Sequence, residues 1–371
     1  MTQAPCAQVR DPAIMLNRAA RKTLYIHIGH FKTGTTALQT FFDTNRAVLK
    51  RAGLDYSSLH LNFSKHSRLA FSIYRKAGIR TLMHGYDIPK DPADLWAGLR
   101  DYVRASSASK VLVSSEEFAR LGGFPEAAAM LPGLVRDFRG IDIRIVVYLR
   151  SPGSHLPSWY NQLVKMGQPV PDYTSAILET IEPVHYDYGL ALAPWIDTFG
   201  PEAVIVRPYS TATRSDHGLV FDMLSTLGVE IDPAALDLGQ GDPNPRLDPA
   251  SFAVAQMVAE TGLPERMKRN ILSRSQAFYR DRTLRDALAP DMEPVHHRIR
   301  QGLGTLEKLP HNGVDCAGYA QDLPGPDDIA EIDPGELVPF LFSELFLTRQ
   351  ALNQAVARIT ALEKAAADSK A

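Results

Sequence analysis

The sequence predicts an α/β fold: a doubly wound parallel sheet with helices on both faces and a C-terminal helical extension. Three observations carry that prediction. Apolar runs such as "TLYIHIG" (23–29), "IDIRIVVYLR" (141–150) and "AVIVRPY" (203–209) have the near-continuous hydrophobicity of strands buried on both faces. Helical patterns separate these runs, and strand–helix alternation implies right-handed crossovers and a parallel sheet whose ligands gather at the strands' carboxyl ends. Beyond about residue 232 the strand signals fade, and Pro-rich turns such as "GDPNPRLDP" separate helical stretches.

The elements follow in order. Residues 1–22 have charges interrupting every short apolar stretch, so they read as a loose leader with neither a signal core nor a membrane span. The first strand runs into Gly29 and a helix opens directly afterwards. "GLDYSSLHLNFSKHSRLAFSIYRKAG" (53–78) reads as a loop over the sheet followed by a second helix. "DPADLWAGLRDYVRAS" (91–106) begins with Asp and Pro in helix-opening order, and "KVLVSSEEF" (110–118) supplies a strand with a polar tip. The strand at 141–150 delivers Arg150 at its carboxyl end. The expected organisation is a leader (1–22), an α/β core (23–232) and a mainly helical appendage packed on it (233–371). In the last segment Leu341, Leu345, Leu352, Ala355, Ile359 and Leu362 form a roughly heptad stripe. The plainer reading is a helix packed on its own domain, and the other a homodimer contact.

Composition removes several functional classes. A net charge of −2 gives no global attraction to nucleic acid or anionic membrane, so anion binding must be local. The two cysteines, Cys6 and Cys316, fit neither a disulfide framework nor a metal knuckle, which favours a reducing, cytoplasmic setting. His296 and His297 face different directions in either a helix or a strand, with no third ligand at metal spacing.

The chemistry gathers at residues 29–36. A strand ending at Gly29, a Gly again at 34 and a helix beyond form the P-loop nucleotide-binding arrangement, which aims backbone N–H groups and a helix dipole at a phosphate. In the triphosphate version, G-x-x-x-x-G-K-[ST], a Lys follows the second Gly. Here that slot is Thr35, and Lys32 lies inside the loop. Triphosphate enzymes also end another strand in an acid that holds Mg²⁺. The strand at 141–150 ends instead in Arg150, which suits a second anion.

With these features the sequence resembles the sulfotransferases that use 3′-phosphoadenosine 5′-phosphosulfate. "FKTGTT" (31–36) is similar to that family's phosphosulfate loop, with Phe31 in place of the usual Pro, a change expected to loosen the loop. Arg150 with Ser158 eight residues on matches its 3′-phosphate motif, and the resemblance spans roughly 24–230. It implies sulfuryl transfer from that donor to a hydroxyl or amine, without metal. The backbone of His30, Phe31, Lys32, Thr33, Gly34, Thr35 and Thr36 would cradle the 5′-phosphate, with hydroxyl donors from Thr35 and Thr36. Lys32 would neutralise charge on the bridging oxygen, and Arg150 and Ser158 would hold the 3′-phosphate.

A base must take the acceptor's proton. The catalytic His of the soluble family members is missing from "KVLVSSEEF". Glu116 is the first choice, against a plain reading as an ion-paired helix-opening carboxylate. His66 in "NFSKHSRLAF" is the second, against an exposed loop histidine. His27 reads as a core histidine, and Trp159 and Tyr160 as residues packing their helix on the sheet. Loops at 55–66, the 166–188 segment and the appendage are expected to choose the acceptor. Residues 264–300 carry nine Lys or Arg against five Asp or Glu, a patch that suits either a polyanionic acceptor such as an acidic glycan or a solvated helix face. The competing readings are a P-loop kinase using ATP and magnesium and an inactive nucleotide-binding scaffold.

Overall fold

The computed structural model describes residues 21–79, 91–166, 168, 170–210, 213, 217–239, 249–259, 263–279 and 292–325, together with 341, 344, 345, 348, 351–360 and 362. They fall into two compact units. The first draws on Met1–Arg150, Pro183–Pro243 and Arg300–Gly318, and the second on Ser151–Glu182, Asn244–Ile299 and Tyr319–Ala371. These units do not follow the linear division expected at about 232: 151–182 falls outside the sheet-bearing unit and 300–318 within it. The return adds a strand, and sequence order gives no hint of such a re-entry.

The first unit holds a six-stranded, all-parallel sheet in the order β2-β3-β1-β4-β5-β6. The strands are β1 (Lys22–His27), β2 (Leu54–Tyr56), β3 (Lys110–Ser114), β4 (Ile141–Leu149), β5 (Val204–Pro208) and β6 (His311–Asn312). Strands β2 and β6 went unread in the sequence because runs of three and two residues carry no periodicity. Helices α1 (Thr35–Thr44), α2 (Arg46–Arg51), α3 (Ser67–Lys76) and α4 (Pro92–Ala105) precede β4. Helix α5 (Pro152–Lys165) belongs to the second unit, α6 (Tyr188–Phe199) and α7 (Gly218–Thr226) to the first, and α8 (Pro249–Ala259) and α9 (Glu265–Tyr279) to the second.

Alternation along the strands explains the two covered faces. Leu112 of β3, Val146 and Tyr148 of β4 and Tyr56 of β2 join Leu38, Phe41 and Phe42 of α1 and Leu219, Met223 and Leu224 of α7 in one core. Positions 38, 41 and 42 are the i, i+3, i+4 stripe of an amphipathic helix. Each fully buried Leu or Phe there contributes roughly 1.5–3 kcal/mol. Val111 and Val113, facing the other way from Leu112, are equally buried. Trp96 of α4, Phe118 and Trp195 of α6 pack edge to face, with ring centroids 6.1 Å and 5.5 Å apart.

In the second unit, Tyr160 of α5 packs on Tyr173 and on Phe252 of α8, and its hydroxyl accepts from Gln256 Nε2 at 2.6 Å. Its partners therefore include the appendage, which the sequence reading had not anticipated. In the C-terminal stripe Leu341, Leu345, Leu352, Ile359 and Leu362 are all more than half exposed, so among the described residues the stripe itself is not covered by the domain. Among the described residues no helix is long and apolar enough to cross a membrane.

Candidate functional site

Strand order creates the site. From β1 the chain crosses to the β2–β3 side of the sheet and then back over β1 to β4, so the carboxyl ends of β3, β1 and β4 lie side by side at a topological switch point. His27 at the end of β1 is level with Ser114 of β3 and Val146 of β4. The loop 28–34 leaves β1, Glu116 follows β3, and Arg150 follows β4.

The loop has the curvature of an anion cradle. Gly29, Lys32 and Gly34 have φ of 60°, 63° and 74°. Left-handed backbone is uncommon at a Lys, and such outliers gather where structure is held for function. Gly34 is the N-cap of α1, which has no side-chain cap and no acid in its first turn. Its first-turn N–H groups are therefore left to a ligand. Thr33 Oγ1 donates to the His30 carbonyl at 2.6 Å and braces the turn. Phe31, expected to loosen the loop, is buried with its ring 5.4 Å from that of His185. Packing takes over the stiffening that a Pro would give. Thr35 is buried and Thr36 exposed.

The His30 side chain turns away from the cradle. Its Nε2 lies 3.0 Å from the Val184 carbonyl, and its ring packs on His185 and Tyr188. Burial lowers its pKa to about 4, so the ring is neutral and only the backbone of His30 can serve an anion. Tyr188 also ties the loop to the next strand end: its ring centroid is 5.4 Å from that of His30, and its hydroxyl donates to the Arg150 carbonyl at 2.5 Å. The Arg150 backbone is thus linked through Tyr188 to the His30 side chain. Ser158 lies on α5 in the second unit and is buried.

At the tip of β3 a buried acidic cluster closes around one cation. Lys65 Nζ donates to Glu116 Oε1 at 2.9 Å and to Glu117 Oε1 at 2.8 Å. Gln39 Nε2, one turn beyond Thr35 on α1, donates to Glu116 Oε2 at 2.9 Å and to Ser114 Oγ at 3.2 Å. Glu117 Oε2 accepts from Ser67 Oγ at 2.8 Å and from the Ser115 hydroxyl. Burial pushes the Glu116 pKa upward, but the Lys65 charge and the hydrogen bonds from Gln39 and Lys65 outweigh it and hold the carboxyl below the usual range. For Lys65 burial acts downward, yet the two carboxylates raise its pKa. Glu116 is therefore an ionised, ion-paired carboxylate opening the turn Glu116–Gly123.

The cradle and this cluster are in contact. A Cβ on Gly29 would lie 2.9 Å from Glu116 Cα and 3.0 Å from Thr35 Cγ2, so only Gly admits the tip of β3 so close to the loop.

His66 is corrected. It is fully buried, its Nε2 lies 2.8 Å from the Ser57 carbonyl, and its Nδ1 accepts from the Ser114 N–H at 3.1 Å. These partners fix the tautomer with Nε2 donating, and burial lowers the pKa to about 4. With both nitrogens engaged, His66 is a strut joining its loop to β3 and has no lone pair for an acceptor's proton. His27 is a core histidine, its Nδ1 2.8 Å from Ser114 Oγ and its pKa lowered by burial to about 4.

Sequence reasoning missed Lys65, Gln39 and Tyr188. Lys65 stood in the same quoted stretch as His66, but its partners lie some fifty residues away and no spacing rule connects them.

No protein-family model and no curated protein sequence matches the chain. Among solved structures it is similar to a sulfotransferase from Alicyclobacillus acidocaldarius, at 18% identity over 81% of this chain and 98% of that one, with a TM-score of 0.44. It is also similar to a sulfotransferase domain from the curacin biosynthetic pathway, at 13% identity over 75% of this chain and 96% of that one, with a TM-score of 0.35. Likeness at this level carries no functional argument, and the reading below rests on the residues.

Proposed function

We propose that the protein transfers a sulfuryl group from 3′-phosphoadenosine 5′-phosphosulfate to a hydroxyl or amine acceptor. The observation that supports the proposal is the placement of two cationic residues after neighbouring strands, Lys32 in an uncapped, left-handed loop after β1 and Arg150 after β4, with Tyr188 linking the His30 ring to the Arg150 backbone. One ligand with two separated anionic groups suits this arrangement better than a triphosphate does. The backbone of His30 to Thr36 holds the 5′-phosphate end, Thr35 and Thr36 add hydroxyl donors, and Arg150 takes the 3′-phosphate, with Ser158 as the second residue of that motif.

In the reaction the acceptor oxygen or nitrogen forms a bond to sulfur as the bond from sulfur to the bridging oxygen breaks, and the bisphosphate leaves with the electron pair. Lys32 and the loop N–H groups stabilise the charge that develops there. Glu116 takes the acceptor's proton. Its lowered pKa makes it a weak base, which suffices because the acceptor's proton becomes acidic as its heavy atom bonds to sulfur. The loop 57–66, which ends in the Lys65 clamp on Glu116, borders the acceptor. A carbohydrate or glycolipid acceptor and a cytoplasmic place of action belong to the same proposal.

The kinase reading would use Glu116 and Glu117 as metal-binding acids, yet Lys65 already occupies one oxygen of each. Thermal unfolding separates the two. 3′-Phosphoadenosine 5′-phosphate without magnesium should stabilise the fold, by about 2.7 kcal/mol at a hundredfold excess over Kd. Stabilisation by ATP with magnesium and none by the bisphosphate would overturn the proposal. Binding of the bisphosphate without transfer of labelled sulfate to any acceptor in a broad screen would mark a scaffold.

A further inference from the structure

We propose that the C-terminal helix is a dimerisation element that pairs with the same helix of a second copy of this chain. All ten residues 351–360 are helical and exposed, as are Leu341, Leu345, Thr348 and Leu362, so among the described residues the apolar stripe is left uncovered. An isolated helix of this length is marginal in water, and a helix exposed on every side lacks the packing that ordinarily stabilises one. Some other surface must supply that packing.

The sequence says what kind of surface. Counting from Leu341, the spacing of positions 341, 345, 348, 352, 355, 359 and 362 alternates four and three without a break, which is the seam of a left-handed coiled coil. Leu345, Leu352 and Ile359 take the a positions, and Leu341, Thr348, Ala355 and Leu362 the d positions. A seam with so regular a repeat fits another helix better than a globular pocket or a membrane surface. A face meant to lie in a bilayer interface would instead be broader and backed by Lys and Arg.

The flanking charges point to a second copy as the partner helix. The g positions are Glu344, Ala351 and Arg358, and the e positions Phe342, Arg349, Val356 and Glu363. In a parallel pair, g faces the e position five residues on in the partner: Glu344 meets Arg349, Ala351 meets Val356, and Arg358 meets Glu363. In an antiparallel pair Glu344 meets Arg358 and Arg349 meets Glu363. Every charged contact is thus between opposite signs in either orientation. Glu344 also pairs with Arg274 of its own chain at 2.9 Å, which fastens the start of the seam to α9. Thr348 and Ala355 fill the two middle d layers poorly, so the association is reversible and depends on concentration.

Sedimentation equilibrium of the full chain tests this over protein concentrations from about 1 to several hundred micromolar. The wild type should move with rising concentration from the 40.9 kDa chain mass toward twice that value. Leu352→Glu combined with Ile359→Glu should remain monomeric throughout, with the thermal transition of the α/β unit unchanged, since both residues are exposed. Arg358→Glu brings like charges together in either orientation and should raise the dissociation constant about tenfold. A wild type that is monomeric across the whole range, or a dimer that survives the double substitution, overturns the proposal. Because the test reads mass alone, it stands or falls independently of the sulfotransferase reading.

Discussion

The loop after β1 and the tip of β3 touch each other, yet they are built on opposite principles. The loop gathers donors: free first-turn N–H groups, threonine hydroxyls and Lys32, with no acid among residues 28–36. The tip of β3 gathers acceptors, Glu116 and Glu117, held by Lys65, Gln39 and two serine hydroxyls. The loop's chemistry suits an incoming anion. The acidic tip can exist in a buried place only because its countercharge folds with it. Under the proposed reaction the contrast would divide the work, charge stabilisation to the loop and proton removal to the tip, and it predicts that damage to each will be read by a different measurement.

Lys32→Ala should produce the largest loss of activity, about 10³-fold in single-turnover transfer of labelled sulfate, with the thermal transition close to that of the wild type. Near-normal turnover would remove Lys32 from the chemistry and leave the loop a binding element only. Lys65→Met should act on the other side of the contrast. It leaves two neighbouring buried carboxylates without their cation, and chemical denaturation should show a loss of about 3–5 kcal/mol. A stable variant that also gained activity would mean that Lys65 restrains Glu116 rather than supporting the fold.

Arg150→Ala should weaken binding of 3′-phosphoadenosine 5′-phosphate by about 1.5–3 kcal/mol and leave adenosine 5′-phosphate almost unaffected, as titration calorimetry would show. Equal weakening of both would detach Arg150 from the 3′-phosphate.

The smallest effect of a single substitution is a change in acid sensitivity. His27, His30 and His66 are buried with pKa values of about 4, against 6.5 in an unfolded chain. Between those values the unfolded state holds more protons, so the folded state is favoured fully above pH 6.5 and loses stability as pH falls toward 4. Each histidine contributes up to about 1.4 kcal/mol per pH unit. His66→Gln should flatten that slope by one proton whatever its effect at pH 7. An unchanged slope would place His66 in contact with solvent and reopen its role as a base.

Much of this was legible in the chain before folding. The glycines at 29 and 34, Lys32 inside the loop and Arg150 at the end of a strand pointed to the anion site proposed here, because each is a local feature that backbone and side-chain chemistry fix within a few residues. The long strands were equally plain, whereas β2 and β6 were too short to leave a pattern. His66 misled because a histidine between Lys and Ser reads as a surface residue, and only the fold turns it under the sheet edge.

By itself, then, the sequence determined that strands alternate with helices, that a Gly-bounded loop follows the first strand, and that a 4-3 apolar repeat closes the chain, since these are properties of neighbours along the backbone. Tertiary structure alone decided that the β3 tip abuts Gly29, that Lys65 clamps two glutamates, that Tyr188 joins His30 to Arg150, and that the last helix is left exposed. Those facts depend on which segments meet in space, and strand order, rather than chain order, sets that.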